Sequence, residues 1–281
     1  MKTLLVGGTS ALGKALYPVI ASFSEVVTAG RQNCDIHLDL SDSANTITLP
    51  QNIDVVIHTA AHFGGKSDDE IIEAEKVNVL GTLKLCQAAV KAKIKHFIFI
   101  SSIYSTCNEE HNQYSIYSLS KKHAEELARF YCSSVSIPLT IIQPAPIYGK
   151  EDGFKRHHPF LYSMLDKAMA GEDILLYGSH DPLRNYLYID DLTSIISKVI
   201  QNKTEGTYSC THMHDVSYSQ IAKAAYAAFN TNGVVRFLPD QPNIADNIFI
   251  KNDSLYKKIG FYPQVSIEEG IRQIAINKKH Q

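Results

Sequence analysis

The sequence predicts an α/β fold: a doubly wound parallel sheet with a smaller C-terminal substrate-binding region. Three observations predict it. Short apolar runs alternate with amphipathic helical stretches through the first half of the chain, the pattern of a parallel sheet covered by helices on both faces. A glycine-rich turn, Gly7-Gly8-Thr9-Ser10-Ala11-Leu12-Gly13, follows directly on the first apolar run. The 281 residues are 44% hydrophobic and 20% charged, an ordinary globular composition long enough for a large core.

The elements follow in order. Thr3–Val6 reads as a buried strand, and Leu12, Ala15, Leu16, Val19 and Ile20 form the apolar face of the next helix, which Pro18 is expected to kink. The turn between them aims backbone N–H groups and the positive end of a helix dipole at one point, where a phosphate sits without a charged side chain. The spacing Gly7-x-x-Ser10-x-x-Gly13 is a variant of the Rossmann dinucleotide fingerprint, with serine at the middle glycine. Gly7 permits the turn and Gly13 lets the helix pack close. Thr9, Ser10, Ala11 and Leu12 join them as candidate coenzyme contacts.

Glu25–Ala29 is the second strand, and ribose recognition belongs at its end. Ala29, Gly30 and Arg31 offer no carboxylate for a free 2′-hydroxyl. Arg31 suits a 2′-phosphate, or is a surface arginine. Asp39, before Leu40, either accepts from an adenine amino group or caps the next turn. Ile53–Ile57 runs into His58-Thr59-Ala60-Ala61-His62-Phe63-Gly64-Gly65, whose small residues let a ligand approach the backbone. One long helix is expected over 68–91, with Asn78 and Gly81 unusual inside it. Phe97–Ile100 makes a fourth strand ending in Ser101-Ser102. A helix over 114–131 and a strand over 139–142 complete the alternation. Beyond Gly149, helices are expected near 159–170, 191–201, 217–229 and 266–276, with a short strand at 208–210. The division expected is a dinucleotide-binding domain over 1–149, to which a strand and helix near 184–212 return, and a mainly substrate-binding region over 150–281.

Several classes are excluded. A net charge of −2 gives no electrostatic case for nucleic acid or an anionic membrane surface. No apolar run is long enough to span a bilayer, and the first residues lack the zones of a signal peptide, so the cytoplasm is the expected compartment. Cys34, Cys86, Cys107, Cys132 and Cys210 are scattered without metal-site or disulfide-framework spacing, and no metal is expected. The Lys278-Lys279 tail reads as a solvated charge run.

Tyr117 and Lys121 stand four apart in a helix and so face the same way. A pair this short carries a false-positive risk. Its weight comes from its place after the fourth strand, beyond Ser102, in a chain that opens with a phosphate turn. The set suggests a redox site in which Tyr117 exchanges a proton with a substrate oxygen. A free phenol titrates near 10, and a lysine ammonium and an oxidised nicotinamide would both favour its ionised form. Ser102 can bind the same oxygen, with Ser101 its nearest rival.

On these motifs the chain resembles the extended short-chain dehydrogenase/reductase family of NAD(P)-dependent nucleotide-sugar epimerases, dehydratases and ketoreductases. The likeness runs through Gly7–Gly13, His58–Ala61, Asn78-Val79-Leu80-Gly81-Thr82, Ser101-Ser102, Tyr117-Ser118-Leu119-Ser120-Lys121, Pro144–Gly149, Arg184–Asp191 and the ending 257–270. It implies that Ser102, Tyr117 and Lys121 are the catalytic set. Lys121 would also bind the nicotinamide ribose. Asn78, Ser101, Pro144 and Ile147 join Arg31, Asp39, Leu40, Thr59, Ala60 and Ala61 as coenzyme contacts. His62, Ser102, Tyr148 and Arg184 are the substrate residues, Arg184 on a diphosphate, or else in an ion pair with Asp190 or Asp191.

The departures matter. Gln143 stands where the family commonly carries arginine. Ile103-Tyr104 replace the Asp-Glu pair that 4,6-dehydratases carry after the catalytic hydroxyl, so the elimination lacks its acid and base. His157 and His158 are candidate proton donors for a 3,5-epimerase, without that group's usual cysteine partner. The expected function is therefore hydride transfer at carbon 4 of a nucleotide-linked sugar, 4-ketoreductase ahead of 4-epimerase. NADP is the expected coenzyme, with NAD the alternative, and a homodimer is open. The rival class is a regulator that binds NADP(H) without catalysis.

Overall fold

The computed structural model describes residues 1–279 apart from residues 43, 45 and 152. The chain divides into two compact units, each discontinuous in sequence. The first comprises Met1–Pro144, Thr193–Cys210 and Asp253–Phe261; the second comprises Ala145–Leu192, Thr211–Asn252 and Tyr262–Gln281.

The chain opens with β1 (Lys2–Val6), α1 (Ala11–Ala21), β2 (Glu25–Gly30), β3 (Ile36–His37), β4 (Val55–His58) and α2 (Asp68–Ala74). A π-helical segment, Glu75–Leu80, leads into α3 (Gly81–Lys91), followed by β5 (His96–Ile100), a 3-10 turn at Ile103–Thr106, α4 (Ile116–Ser134) and β6 (Leu139–Pro144). Next come β7 (Ile147–Tyr148), α5 (Gly153–His157), α6 (Pro159–Met169), β8 (Ile174–Tyr177), β9 (Leu183–Arg184) and β10 (Leu187–Tyr188). The remainder is α7 (Ile189–Asn202), β11 (Gly206–Cys210), β12 (Val216–Ser217), α8 (Tyr218–Phe229), β13 (Val235–Leu238), α9 (Ser254–Ile259) and α10 (Ile267–Lys279).

The first unit is built on a seven-stranded sheet in the order β11-β6-β5-β4-β1-β2-β3, parallel throughout. Its central strands are apolar on both faces. Leu4, Leu5 and Val6 of β1, Val56 and Ile57 of β4 and Phe97 to Phe99 of β5 are fully buried, as a sheet covered by helices on both sides requires. The chain passes from β1 to β2 on one side and to β4 on the other, so the order reverses between β1 and β4. Ligands of open α/β sheets bind outside the strand ends at such a switch point.

The helix expected over 68–91 is three pieces. Ser67 and Glu70 form a capping box that starts α2. Six residues then widen into π geometry around Asn78, whose amide bonds outward to His62 and Ser120. Gly81 follows because a methyl there would lie 2.7 Å from Leu40 Cβ and 2.9 Å from Leu40 O. Helix α1 runs past Pro18, with only its last turn beyond that residue. The two-residue strand β3 and the six-residue α9 are too short to carry a periodic signal.

The second unit holds three two-stranded pairings, β7 with β10, β8 with β13 and β9 with β12. Its helices α6, α8 and α10 pack together. Lys278 pairs with Asp166 rather than lying free in solvent; the Lys279 side chain lies outside the described residues. No helix among the described residues is long and apolar enough to cross a membrane, and they contain no metal-ligating cluster.

Candidate active site

The phosphate turn is built by steric exclusion. Gly7 has φ +88, and a methyl on it would lie 2.6 Å from Thr59 Oγ1 and 2.8 Å from Ala60 N. A methyl on Gly13 would come within 2.2 Å of Gly7 O. Both positions exclude a side chain, which fits a cradle meant for close backbone approach. Ser10 caps α1: its Oγ accepts from Gly13 N at 3.0 Å. Ala11 and Leu12 lie in the first helical turn, where backbone N–H groups have no intrahelical acceptor and an anion can be accommodated. Ser10 therefore caps the helix.

At the end of β2, Arg31 is exposed and its charge acts on Asp39. Burial opposes ionisation of Asp39, yet hydrogen bonds from Ser41 and the Arg31 charge leave its carboxyl below the ordinary value. Asp39 Oδ1 accepts from Ser41 N at 2.9 Å and Ser41 Oγ at 2.8 Å, so one oxygen caps the turn. A nearby carboxylate, Asp35, is folded back on Thr28 N and Oγ1. Leu40 is a core side chain beneath Gly81.

The loop after β4 is pinned from below. Asn78, only 1% exposed, accepts from His62 N at 2.8 Å and donates to His62 O at 2.7 Å and Ser120 Oγ at 2.9 Å. Both amide hydrogens and one lone pair of the amide oxygen are committed to protein, and the side chain supports the loop. His58 is buried, and burial first, then the Lys121 charge, pushes it down to about 3. Thr82 Oγ1 donates to Asn78 O at 2.6 Å, so it accepts from His58 Nε2, which fixes the neutral tautomer by network.

At the end of β5 the serines separate. Ser101 Oγ donates to Glu125 Oε1 at 2.5 Å. The Ser102 hydroxyl lies close enough to Tyr117 to pull its phenol down, and it accepts from Tyr104 N at 3.2 Å. Ser102, not Ser101, is the hydroxyl beside the phenol. Burial pushes Tyr117 up to about 12, the Ser102 hydroxyl pulling the other way and Tyr104 adding to the rise. Phe63 stacks on the Tyr117 ring at 4.9 Å and 17°. Lys121 Nζ donates to Ile100 O at 2.9 Å and lies 4.6 Å from the centre of the Phe99 ring. Burial drives Lys121 down to about 7, against the charge of Glu125. Phe63, Tyr104 and Glu125 were not singled out from sequence. Glu125 had a signal in the continued four-residue spacing Tyr117, Lys121, Glu125; the packing of the other two had none.

Pro144 ends β6, where Cys210 pairs with it. The second unit carries the remaining candidates. Ile147 pairs with Leu187. Tyr148, expected at the substrate, is 1% exposed, packs on Tyr188 and directs its hydroxyl to Ser266 O at 3.4 Å. It is a core residue. Arg184 is 7% exposed and lies 4.3 Å over the Tyr218 ring. Its Nε donates to Tyr218 Oη at 2.7 Å and its Nη1 to Leu183 O and Ala245 O. Of the two carboxylates considered for an ion pair with it, Asp191 accepts from Gln264 N and Val265 N. His158 packs on Tyr186 at 5.6 Å, and burial holds it down to about 4, which leaves it without a proton to give at neutral pH.

The chain matches the NAD dependent epimerase/dehydratase family over residues 3–210 and belongs to it. This is the extended short-chain dehydrogenase/reductase group. Among curated proteins it is similar to a dTDP-D-glucose 4,6-dehydratase of Dictyostelium discoideum, 28% identical over 65% of this chain and 46% of that protein. It is also similar to a CDP-abequose synthase of Salmonella muenchen, 24% identical over 99% of this chain and 98% of that one. The chain thus spans about half the length of the dehydratase and nearly all of the synthase. Among solved structures, a UDP-N-acetylglucosamine 4-epimerase from Bacillus cereus superposes with TM-score 0.79 over 100% of this chain and 97% of that one, at 18% identity. That likeness is one of fold.

Proposed function

We propose that this chain reduces the carbon-4 ketone of a nucleotide-linked sugar, with NADPH as reductant. The observation that carries the reading is the meeting of Ser102, Tyr117 and Lys121 at the C-terminal end of β5. A bound nicotinamide coenzyme supplies the hydride. The Gly7–Gly13 turn would hold its diphosphate on the N–H groups of Ala11 and Leu12, and exposed Arg31 suits a 2′-phosphate. Ser102 Oγ and Tyr117 Oη bind the ketone oxygen. As hydride reaches carbon 4, Tyr117 gives its proton to the developing alkoxide, and the resulting phenolate is stabilised by the Lys121 ammonium one turn away. A phenol held near 12 keeps its proton at neutral pH, which suits an acid.

In the second unit, the Arg184 guanidinium donates to two carbonyls and a phenol, and its charge also acts on Asp246; it is a cation suited to a diphosphate. Ile103 and Tyr104 after Ser102 supply no carboxylate pair, which argues against 4,6-elimination. The full-length likeness to a protein named for a CDP-linked sugar supports a nucleotide-sugar substrate. The same trio serves a 4-epimerase that returns its hydride to the substrate; Arg31, with no carboxylate among Ala29-Gly30-Arg31 and with Asp35 folded back on Thr28, favours exchange with NADPH.

The test is a panel of UDP-, GDP-, CDP- and dTDP-linked 4-keto sugars, each with NADPH or NADH, followed at the nicotinamide absorbance. Stoichiometric loss of NADPH with at least one ketone is expected, and Arg31→Ala should weaken NADPH much more than NADH. Interconversion of 4-epimers without net coenzyme consumption would replace reduction by epimerisation. Coenzyme binding with no turnover of any sugar would return the protein to the regulator class.

A further inference from the structure

A buried carboxylate stands behind the trio. Tyr117, Lys121, Glu125 and Arg129 recur every four residues on α4 and share one face. Glu125 is 3% exposed. Its Oε1 accepts from Ser101 Oγ at 2.5 Å, Ser105 Oγ at 2.5 Å and Gln143 Nε2 at 3.1 Å. Its Oε2 accepts from Gln143 Nε2 at 2.9 Å and Arg129 Nη1 at 3.2 Å. The Arg129 side chain is 44% exposed, so the one cation bonded to this carboxylate among the described residues is half in water. A buried carboxylate whose other donors are neutral is costly unless its charge is used.

The register of its contacts points to that use. Two consecutive residues at the end of β5 are held by side chains of α4, and the third faces a side chain of the same helix. Lys121 donates to Ile100 O, Glu125 accepts from Ser101 Oγ, and Ser102 lies beside Tyr117. We propose that Glu125 is a positioning residue: it ties the end of β5 to α4 so that Ser102 stays against Tyr117, and it faces Lys121 with the opposite charge. The inference rests on the catalytic reading of that trio.

The other titratable groups packed around Lys121 do not compete for this role. His58 from β4 and Tyr117 are both held neutral by burial. Tyr104 from the 3-10 turn raises Tyr117 rather than Lys121. Cys86 of α3 and Cys132 of α4 are free thiols that act on each other, and Glu75 of the π segment is paired with His123. Among the described residues, the Glu125 charge is what opposes loss of the Lys121 proton.

The test follows the Lys121 titration directly in the full chain labelled with ¹³C-lysine. The Lys121 resonance is assigned by its loss in Lys121→Met, and no substrate is required. Glu125→Gln keeps size and removes charge; it should lower the Lys121 midpoint by about one pH unit. Arg129→Gln frees more of the Glu125 charge from a half-exposed position and should raise the midpoint by ~0.3 unit, the scale of an i,i+4 pair. With a 4-keto nucleotide sugar, the alkaline limb of kcat/KM should move the same way as the midpoint in each variant, with kcat falling more than KM rises in Glu125→Gln. A Lys121 midpoint unmoved in folded Glu125→Gln overturns the proposal. If that variant does not fold, a midpoint unmoved or lowered in Arg129→Gln overturns it instead. Absence of turnover with every ketone would count against the catalytic reading and leaves the titration to decide the role of Glu125.

Discussion

Burial pushes Tyr117 up and Lys121 down: the phenol keeps its proton at neutral pH, while the ammonium gives its proton up far more easily than a free lysine. Tyr117→Phe keeps the ring and its stack on Phe63 but has no proton to give. We expect it to bind coenzyme as the parent does and to lose about 10²–10⁴-fold in turnover, read by coenzyme titration beside steady-state rates. Lys121 bears on stability. Its folded value of about 7 lies below the ordinary 10.5, so between those pH values the unfolded chain binds the extra proton. Stability therefore rises with pH across that window. Lys121→Met should abolish that slope, changing the stability gained between pH 7 and pH 10 by on the order of 2–4 kcal/mol relative to the parent. It should also melt higher at pH 7 while losing activity. Matched thermal melts at the two pH values decide it. Equal slopes would mean that Lys121 keeps its proton in the folded protein.

At the scale of the element, the π segment is the clearest case of local structure serving the site. Its extra width turns Asn78 toward His62 and Ser120, and through that loop Phe63 is held on Tyr117. Asn78→Ala leaves His62 N, His62 O and Ser120 Oγ without their partner. A loss of about 1–3 kcal/mol is expected, read as a lower urea midpoint at unchanged slope, together with slower turnover. Sequence showed this part incompletely. Asn78 and Gly81 stood out inside a helical pattern, but the widening comes from tertiary hydrogen bonds that periodicity does not encode. The glycine turn and the β4 and β5 ends were legible because their steric rules are local. The separate fates of Ser101 and Ser102, and the burial of Tyr148, were not, since adjacent residues of one type part only when the sheet and α4 come together.

At the scale of the molecule, the main sheet is completed by residues far along the chain. Strand β6 pairs with β5 on one side and with β11 on the other, from Thr140 with Gly206 to Pro144 with Cys210. A fragment ending at Pro144 would leave a buried apolar strand, with Ile141 and Ile142 at its centre, as an open edge. Such a fragment is expected to associate, seen as high-mass species in size-exclusion chromatography. The same fragment joined through a flexible linker to residues 193–210 should recover monomeric folded material. A fragment that is monomeric and cooperatively folded without β11 would show that the edge is tolerated.

The stack of Phe63 on Tyr117 has an optical side. The chain contains fifteen tyrosines and no tryptophan, so its ultraviolet emission is tyrosine light with nothing brighter to mask it. Tyr117 carries an aromatic neighbour face to face, and whatever displaces Phe63 from that face alters the surroundings of the chromophore that the proposed reaction uses as its acid. Arrival at the reacting hydroxyl is thereby written into the absorbance and emission of the protein itself, and the difference spectrum between parent and Tyr117→Phe isolates that one ring as a native reporter of occupancy.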